Sequence, residues 1–173
     1  TRKLSFNDDN TLNFSYESNI EWLIFSDSRR EQSLLTLNDN TVIPMSYKYV
    51  REGTGRDKHY QWQYDAVNKT ATNVKEKQTL DINWPTGLQD SLSYQLQVQL
   101  DIKKDPEQKM FVFPVINSSG NIKNHVYEFD GYEEVMLPYG LIKTVKLKRE
   151  VIEKKRVTYV WLAPELDYLL VKL

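Results

Sequence analysis

QDSLSYQLQVQLDI, residues 89–102, carries two periodicities at once, and the fold turns on which of them the chain obeys. Leu92, Tyr94, Leu96, Val98, Leu100 and Ile102 alternate without a miss against Ser, Gln and Asp, as one face of a half-buried strand does. Leu88, Leu92, Leu96 and Leu100 also recur every fourth residue, as the ridge of an amphipathic helix does. As a strand, the stretch lengthens a sheet. As a helix, it is the single helix of a mostly β protein, laid on the sheet where it helps shape any cavity. Asp90 or Ser91 can serve as N-cap after the Pro85-Thr86-Gly87 turn, while β-branched Val98 and Ile102 favour a strand. On the residues alone both states stay open.

Outward from this stretch the texture is short β-prone runs broken by turn residues. Leu4 and Phe6, the polar turn at Asn7–Asn10, then Leu12, Phe14 and Tyr16 read as a hairpin. Trp22–Phe25 and Gln32–Leu37 are compact apolar runs, and Asn38-Asp39-Asn40 turns the chain into Val42 and Ile43. MSYKYVR (45–51) and HYQWQYD (59–65) place Met45, Tyr47, Tyr49 and Arg51 on one face and Tyr60, Trp62 and Tyr64 on the other strand's face. Such aromatic cross-strand pairs are worth about 0.2–1 kcal/mol each, enough to set register without implying a site. Further hairpins are expected over 110–131 and 141–163, with Pro114 marking an edge strand or a bulge because it cannot donate to a ladder. Ala163-Pro164 reads as a turn between two last apolar strands.

At 173 residues the chain fits one domain spanning 1–173, and it is 40% hydrophobic and 27% charged. Lys plus Arg (23) nearly balances Asp plus Glu (24), which gives no reason to expect a nucleic-acid partner. No apolar run approaches the roughly 18–20 residues of a membrane helix. Thr1-Arg2-Lys3 leads straight into polar sequence without a signal peptide, as in a mature or trimmed form. The absence of cysteine removes disulfides, thiolate metal sites and thiol nucleophiles together.

Catalytic patterns are missing where they are looked for. His59 and His125 lie far apart in strand-like runs without metal-ligand spacing, so no metal and no cofactor are expected. Ser118-Ser119-Gly120 is a turn rather than a nucleophile elbow, and Glu52-Gly53-Thr54-Gly55 sits between two strands rather than opening a helix. Asp8-Asp9 and Glu133-Glu134 lie in polar surroundings, whereas acid–base work needs a desolvated carboxylate. Sequons occur at Asn13, Asn68 and Asn117; one or two are expected by chance in a chain this rich in Asn, Ser and Thr, and they matter only in a secreted eukaryotic protein. Lys143, Lys146, Lys148, Arg149, Lys154, Lys155 and Arg156 form the one strong charge cluster, interrupted by Glu150 and Glu153. It reads as a protected edge strand or, with Lys143, Lys146, Lys148 and Arg149 foremost, as a patch for an anionic partner. Trp161 reads as core, or as a stacking surface for a ligand.

Three stretches together resemble a bacterial family of exported envelope proteins, domain-of-unknown-function family 3108. They are IPMSYKYVREGTGRDKHYQWQYD (43–65), LQDSLSYQL (88–96) and YGLIKTVKLKRE with WLAPELDYLLVKL (within 139–173). The resemblance covers most of residues 30–173, and members usually carry an extra strand before the equivalent of Thr1 and often another after Leu173. It implies a periplasmic or exported location and a curved sheet like that of lipoprotein carriers, a half-barrel partly covered by a helix. It brings no catalytic residues.

The expectation is therefore a mainly β domain: one curved antiparallel sheet or half-barrel of about ten strands with one helix at about 89–102. Its function is expected to be non-catalytic. A concave aromatic face (Tyr47, Tyr49, Trp62, Tyr64 and Trp161) would hold a lipid or other apolar ligand. The rival expectation is a structural or protein-interaction module of the envelope, using an edge strand or the basic strands at 143–156.

Overall fold

The computed structural model describes residues 1–152 and 155–173. Glu153 and Lys154 of the expected basic cluster lie outside the described residues. Contacts divide the chain into two compact units, residues 1–94 with 114–123 and residues 95–113 with 124–173.

The first unit is built on a seven-stranded antiparallel meander in which each strand pairs with the next: β1 (Arg2–Phe6), β2 (Leu12–Trp22), β3 (Phe25–Asn38), β4 (Thr41–Gly53), β5 (Lys58–Asp65), β6 (Thr70–Asn73) and β7 (Gln78–Asp81). This sheet is a curled half-barrel. Local chemistry sets its turns. Asp9 accepts the Thr11 N–H at 3.0 Å, and Asp39 and Asn40 both take positive φ, the geometry of a tight hairpin.

One bulge decides which side chains face inward. Leu34 pairs with Ser46 and Leu35 with Pro44, so Met45 is left over. Val42 and Pro44 before the bulge, and Tyr47, Tyr49 and Arg51 after it, then share the inner face, while Met45 is exposed instead of joining them. Pro44 fits there because a bulge relaxes the demand for a ladder donor.

Gly53 closes β4 at φ +147, and a Cβ on it would stand 2.1 Å from the Ser26 carbonyl oxygen. Gly53→Ala is expected to destabilise the protein by about 1–3 kcal/mol through this clash and the strained dihedral. Urea unfolding followed by tryptophan fluorescence measures it.

The second sheet runs in the order β12-β11-β10-β9-β8, from β8 (Met110–Ile116), β9 (Ile122–Leu137), β10 (Gly140–Val151), β11 (Arg156–Ala163) and β12 (Leu169–Lys172). Pro114 lies in the edge strand β8, as its missing donor requires. A 3₁₀ turn at Pro164–Leu166 joins β11 to β12. Val135, Ile142, Trp161 and Ala163 form one buried cluster of the second unit, and the Phe113 and Tyr127 rings meet edge-on at 6.5 Å. The described residues thus hold twelve strands in two sheets, against the expected ten or so in one. Short segments such as Thr70–Asn73 and Gln78–Asp81 are full strands that the residue pattern does not announce.

The opening stretch is helical: α1 spans Ser93–Lys104, starting later than the expected residue 89 because 89–92 form its cap and lead-in. Lys103 and Lys104 in its last turn suit the negative end of the helix dipole. Within the second unit, Gln99 donates to the Asp167 carbonyl at 2.9 Å and Lys103 pairs with the Asp167 carboxylate at 2.7 Å.

Candidate functional site: the inner face of the first sheet

Residues paired across antiparallel strands share a face, so the register of β1–β5 arranges side chains in rows. One row runs Phe14, Ser33, Tyr47, Trp62, and it is buried. The next runs Arg2, Tyr16, Glu31, Tyr49, Tyr60, and it is half-buried throughout. Beyond it come Ser18, Arg29, Arg51 and Lys58, then Ile20, Asp27 and Gly53. The inner face therefore grades from a sealed apolar floor, through a band of tyrosines, to a charged rim.

The floor is closed by the chain itself. Trp62 and Ala71 pack with Leu88 and Ile116, and Tyr64, Leu80 and Ile82 join them. The turn after β8 adds a lid at this end, where Trp62 Nε1 donates to the Ser118 carbonyl at 3.3 Å.

A polar network is sealed into the same floor. Asp90 Oδ1 accepts the N–H groups of Leu92 (2.8 Å) and Ser93 (2.7 Å), and Ser93 Oγ accepts the Asp90 N–H at 2.9 Å. This is a reciprocal capping box at the head of α1. Ser33 Oγ, from β3, donates to Asp90 Oδ2 at 2.5 Å, tying the cap to the sheet. Gln89 donates to the Val42 carbonyl at 2.8 Å. Burial pushes the Asp90 carboxyl up to about 6 against the pull of these hydrogen bonds. Tyr47 donates to Glu31 Oε2 at 2.7 Å, and burial raises both the Glu31 carboxyl and, far more, the Tyr47 phenol.

Ser33 donates its hydroxyl hydrogen bond to Asp90, and the two histidines stand elsewhere: His59 is exposed and its paired neighbour Val50 places it on the outer face, while His125 belongs to the second unit. Burial and the nearby Arg149 lower His125 to about 4, so it is neutral at pH 7. No group of three or more potential metal ligands occurs among the described residues.

The open part of the face has the groups that could hold a ligand. The Tyr49 and Tyr60 rings stack at 4.6 Å with 8° between their planes, and the Arg2 guanidinium lies 5.0 Å from the Tyr16 ring centroid. Arg51 and Arg29 donate to Asp27 at 2.6 and 2.7 Å and hold its carboxyl below the usual range. A hollow of about 310 Å³ at this end is lined by Ile20, Phe25, Asp27, Arg51 and Thr54. A larger hollow of about 400 Å³ includes Ser15, Glu17, Arg30, Gln32 and Lys48, but these side chains belong to the polar outer face.

The residues expected to line a ligand site are distributed as follows. Tyr47 and Trp62 are buried in the floor, Tyr64 is half-buried in the Trp62 cluster, and Tyr49 stands in the half-open band. Trp161 is buried in the second unit, with the Lys172 ammonium 4.2 Å and the Lys146 ammonium 5.5 Å from its ring centroid. Tyr16, Tyr60, Arg2, Glu31, Arg29 and Arg51 complete the band and rim, and only the register across five strands reveals that they share a face with Tyr49.

The basic residues of β10 alternate in direction. Lys146 and Lys148 share a face with Trp161 and Tyr159, and Lys143 and Arg149 take the opposite one. Lys146 bridges Asp130 (3.2 Å) and Glu133 (3.3 Å), and Lys148 pairs with Glu150.

The chain has no match among the curated proteins compared with it. It is similar to the crystal structure of a DUF1089-family protein from Pseudomonas aeruginosa, at 8% identity and a TM-score of 0.48, over 99% of this chain and 87% of that one. The family described as "Protein of unknown function (DUF3108)" matches residues 9–173, nearly the whole sequence, and the chain belongs to that family.

Proposed function

We propose that the protein is a non-catalytic, exported binding protein of the bacterial cell envelope that holds an apolar or amphiphilic ligand on the inner face of its first sheet. The observation that carries this reading is the graded face. A half-buried band of Tyr16, Tyr49 and Tyr60 lies between a sealed apolar floor and a rim of Arg29, Arg51 and Asp27. Aromatic rings with a few orienting polar groups suit a ligand that is apolar along most of its length and polar at one end. The sealed floor narrows the ligand contact to the tyrosine band and rim, so Tyr47 and Trp62 support the site rather than touch its occupant.

The test is native mass spectrometry of protein purified from a bacterial envelope, followed by organic extraction. A co-purifying amphiphile, released on extraction, is the expected result. Protein that is ligand-free in every preparation would argue against the reading.

The rival, an interaction module of the envelope, draws support from the β9–β10 hairpin, where Tyr132, Met136, Tyr139 and Leu141 are all exposed. Association with an envelope protein that survives high salt and is lost in Met136→Lys would favour it.

A further inference from the structure

The turn between β2 and β3 combines a left-handed leucine with an unbroken run of exposed apolar side chains. Trp22 pairs with Phe25, so Leu23 and Ile24 are the turn residues, and Leu23 sits at φ +53. That region favours Gly or Asn and is costly for a bulky side chain. Three other hairpins use the polar turns Asn7–Asn10, Asp39-Asn40 and Asn117–Asn121, and Lys69 and Lys77 take positive φ in two more. This one uses Trp-Leu-Ile-Phe and leaves it in solvent: exposure is 70% for Trp22, 89% for Leu23, 82% for Ile24 and 58% for Phe25, with Ile20 close behind at 60%. The compact apolar run noted at 22–25 is thus a turn and not a piece of core. Backbone strain and exposed apolar surface both cost stability, and their coincidence marks a surface kept for contact.

Size and charge choose the contact. Five side chains fall well short of the roughly 20–30 residues a side that a stable protein–protein interface uses. They suffice for a loop that dips into a lipid interface, where tryptophan and phenylalanine are at home. Thr54 ties the β4–β5 loop to the tip, donating its N–H to the Ser26 carbonyl and accepting the Ser26 N–H at 2.8 Å. The segments flanking the tip carry Arg29, Arg30, Arg51, Arg56 and Lys58 together with Glu21, Asp27, Glu52 and Asp57. Arg29 and Arg51 pair with Asp27, and Arg30 pairs with Glu52. Charges so nearly balanced complement a zwitterionic headgroup layer and do not select an anionic one.

We infer that the β2–β3 turn is a membrane-docking tip, with Trp22, Leu23, Ile24 and Phe25 entering the boundary between headgroups and acyl chains of a phospholipid surface without spanning it. The tip does not depend on the inner-face ligand, and either can fail alone.

Because the chain has no cysteine, Leu23→Cys offers a single labelling site, and Val67→Cys, 90% exposed in another turn, offers its control. Each full-length variant carries an environment-sensitive nitrobenzoxadiazole label and meets vesicles of phosphatidylcholine and phosphatidylethanolamine, with and without phosphatidylglycerol. The expected result is a several-fold rise and blue shift of emission at position 23 with both vesicles, and no change at position 67. Flotation of unlabelled Leu23→Asp/Ile24→Asp with vesicles should fall at least about tenfold, since each buried aliphatic side chain is worth about that factor or more. These side chains are exposed, so the double variant keeps the wild-type circular dichroism.

Four results would overturn the inference: no rise at position 23, an equal rise at 67, a requirement for phosphatidylglycerol, or undiminished flotation of the double variant. A rise at position 23 with protein concentration alone would assign the tip to a second copy and overturn it too.

Discussion

Asp90→Ala is expected to lower stability at pH 7.5 by about 2–4 kcal/mol, while Asp90→Asn leaves it within about 1 kcal/mol of wild type. The alanine variant removes an N-cap, worth about 0.5–2 kcal/mol, and leaves the buried Ser33 hydroxyl and two N–H groups without their acceptor. Asparagine keeps the acceptor for the helix N–H groups and removes the buried charge. The two replacements therefore separate the cap from the charge.

Their pH dependence should differ as well. The folded-state carboxyl titrates near 6 against an ordinary 3.8. Asp90 contributes its full stabilisation below about pH 4, where it is protonated in both states. As pH rises through 6 that contribution is lost, roughly 3 kcal/mol in all. Wild type should thus gain stability relative to Asp90→Asn between pH 7.5 and 4.5. Urea unfolding of both proteins across this range measures the gain, and parallel curves would remove Asp90 from the account.

Leu92→Ala and Ile102→Ala, one just before α1 and one near its end, should each cost about 2–5 kcal/mol. At 100° per residue, the even-numbered positions of this stretch split into two ridges. Leu92 and Leu96 lie on one, Val98 and Ile102 on the other, and all four are buried. The half-buried Gln95 and Gln99 lie between ridges, and their alanine variants should stay within about 0.5 kcal/mol of wild type. A strand would instead place Leu92, Leu96, Val98 and Ile102 all on one face.

The same wheel explains why the sequence read both ways. A helix buried on one side shows apolar residues at three- and four-residue spacing. A helix buried over a wide arc needs two such ridges, and ridges two residues out of phase interleave into perfect alternation. The cap was the local signal on the helix side: Asp90 and Ser91 were both candidates, and the reciprocal bonds with Ser93 make Asp90 the cap. The hairpins around 7–10, 38–41 and 51–59 were legible because their turn residues are specific about backbone geometry.

Other features were closed to sequence reading for physical reasons. Whether Tyr16, Glu31, Tyr49 and Tyr60 stand side by side depends on the register of four strands and on a bulge at Met45, none of which has a local signature. The alternation of Tyr47, Tyr49, Trp62 and Tyr64 gave the shared face correctly, but not that Tyr47 and Trp62 would be sealed beneath the chain's own Leu88 and Ile116. Trp161 and Tyr47 belong to different units, a separation that composition does not show. The compact apolar run at 22–25 gave no sign that it holds a turn, which shows only in the pairing of Trp22 with Phe25.

The central claim is that the tyrosine band of the first sheet holds an amphiphile. Titration with a fluorescent long-chain fatty acid tests it most directly, in wild type and in Tyr49→Ala/Tyr60→Ala. These rings are half-buried and stack on each other, so their loss empties the band while the floor beneath remains packed. The account predicts saturable binding by wild type, at one molecule per chain, weakened at least about tenfold in the double variant. Binding that never saturates, or that is equally tight without the two rings, would contradict it.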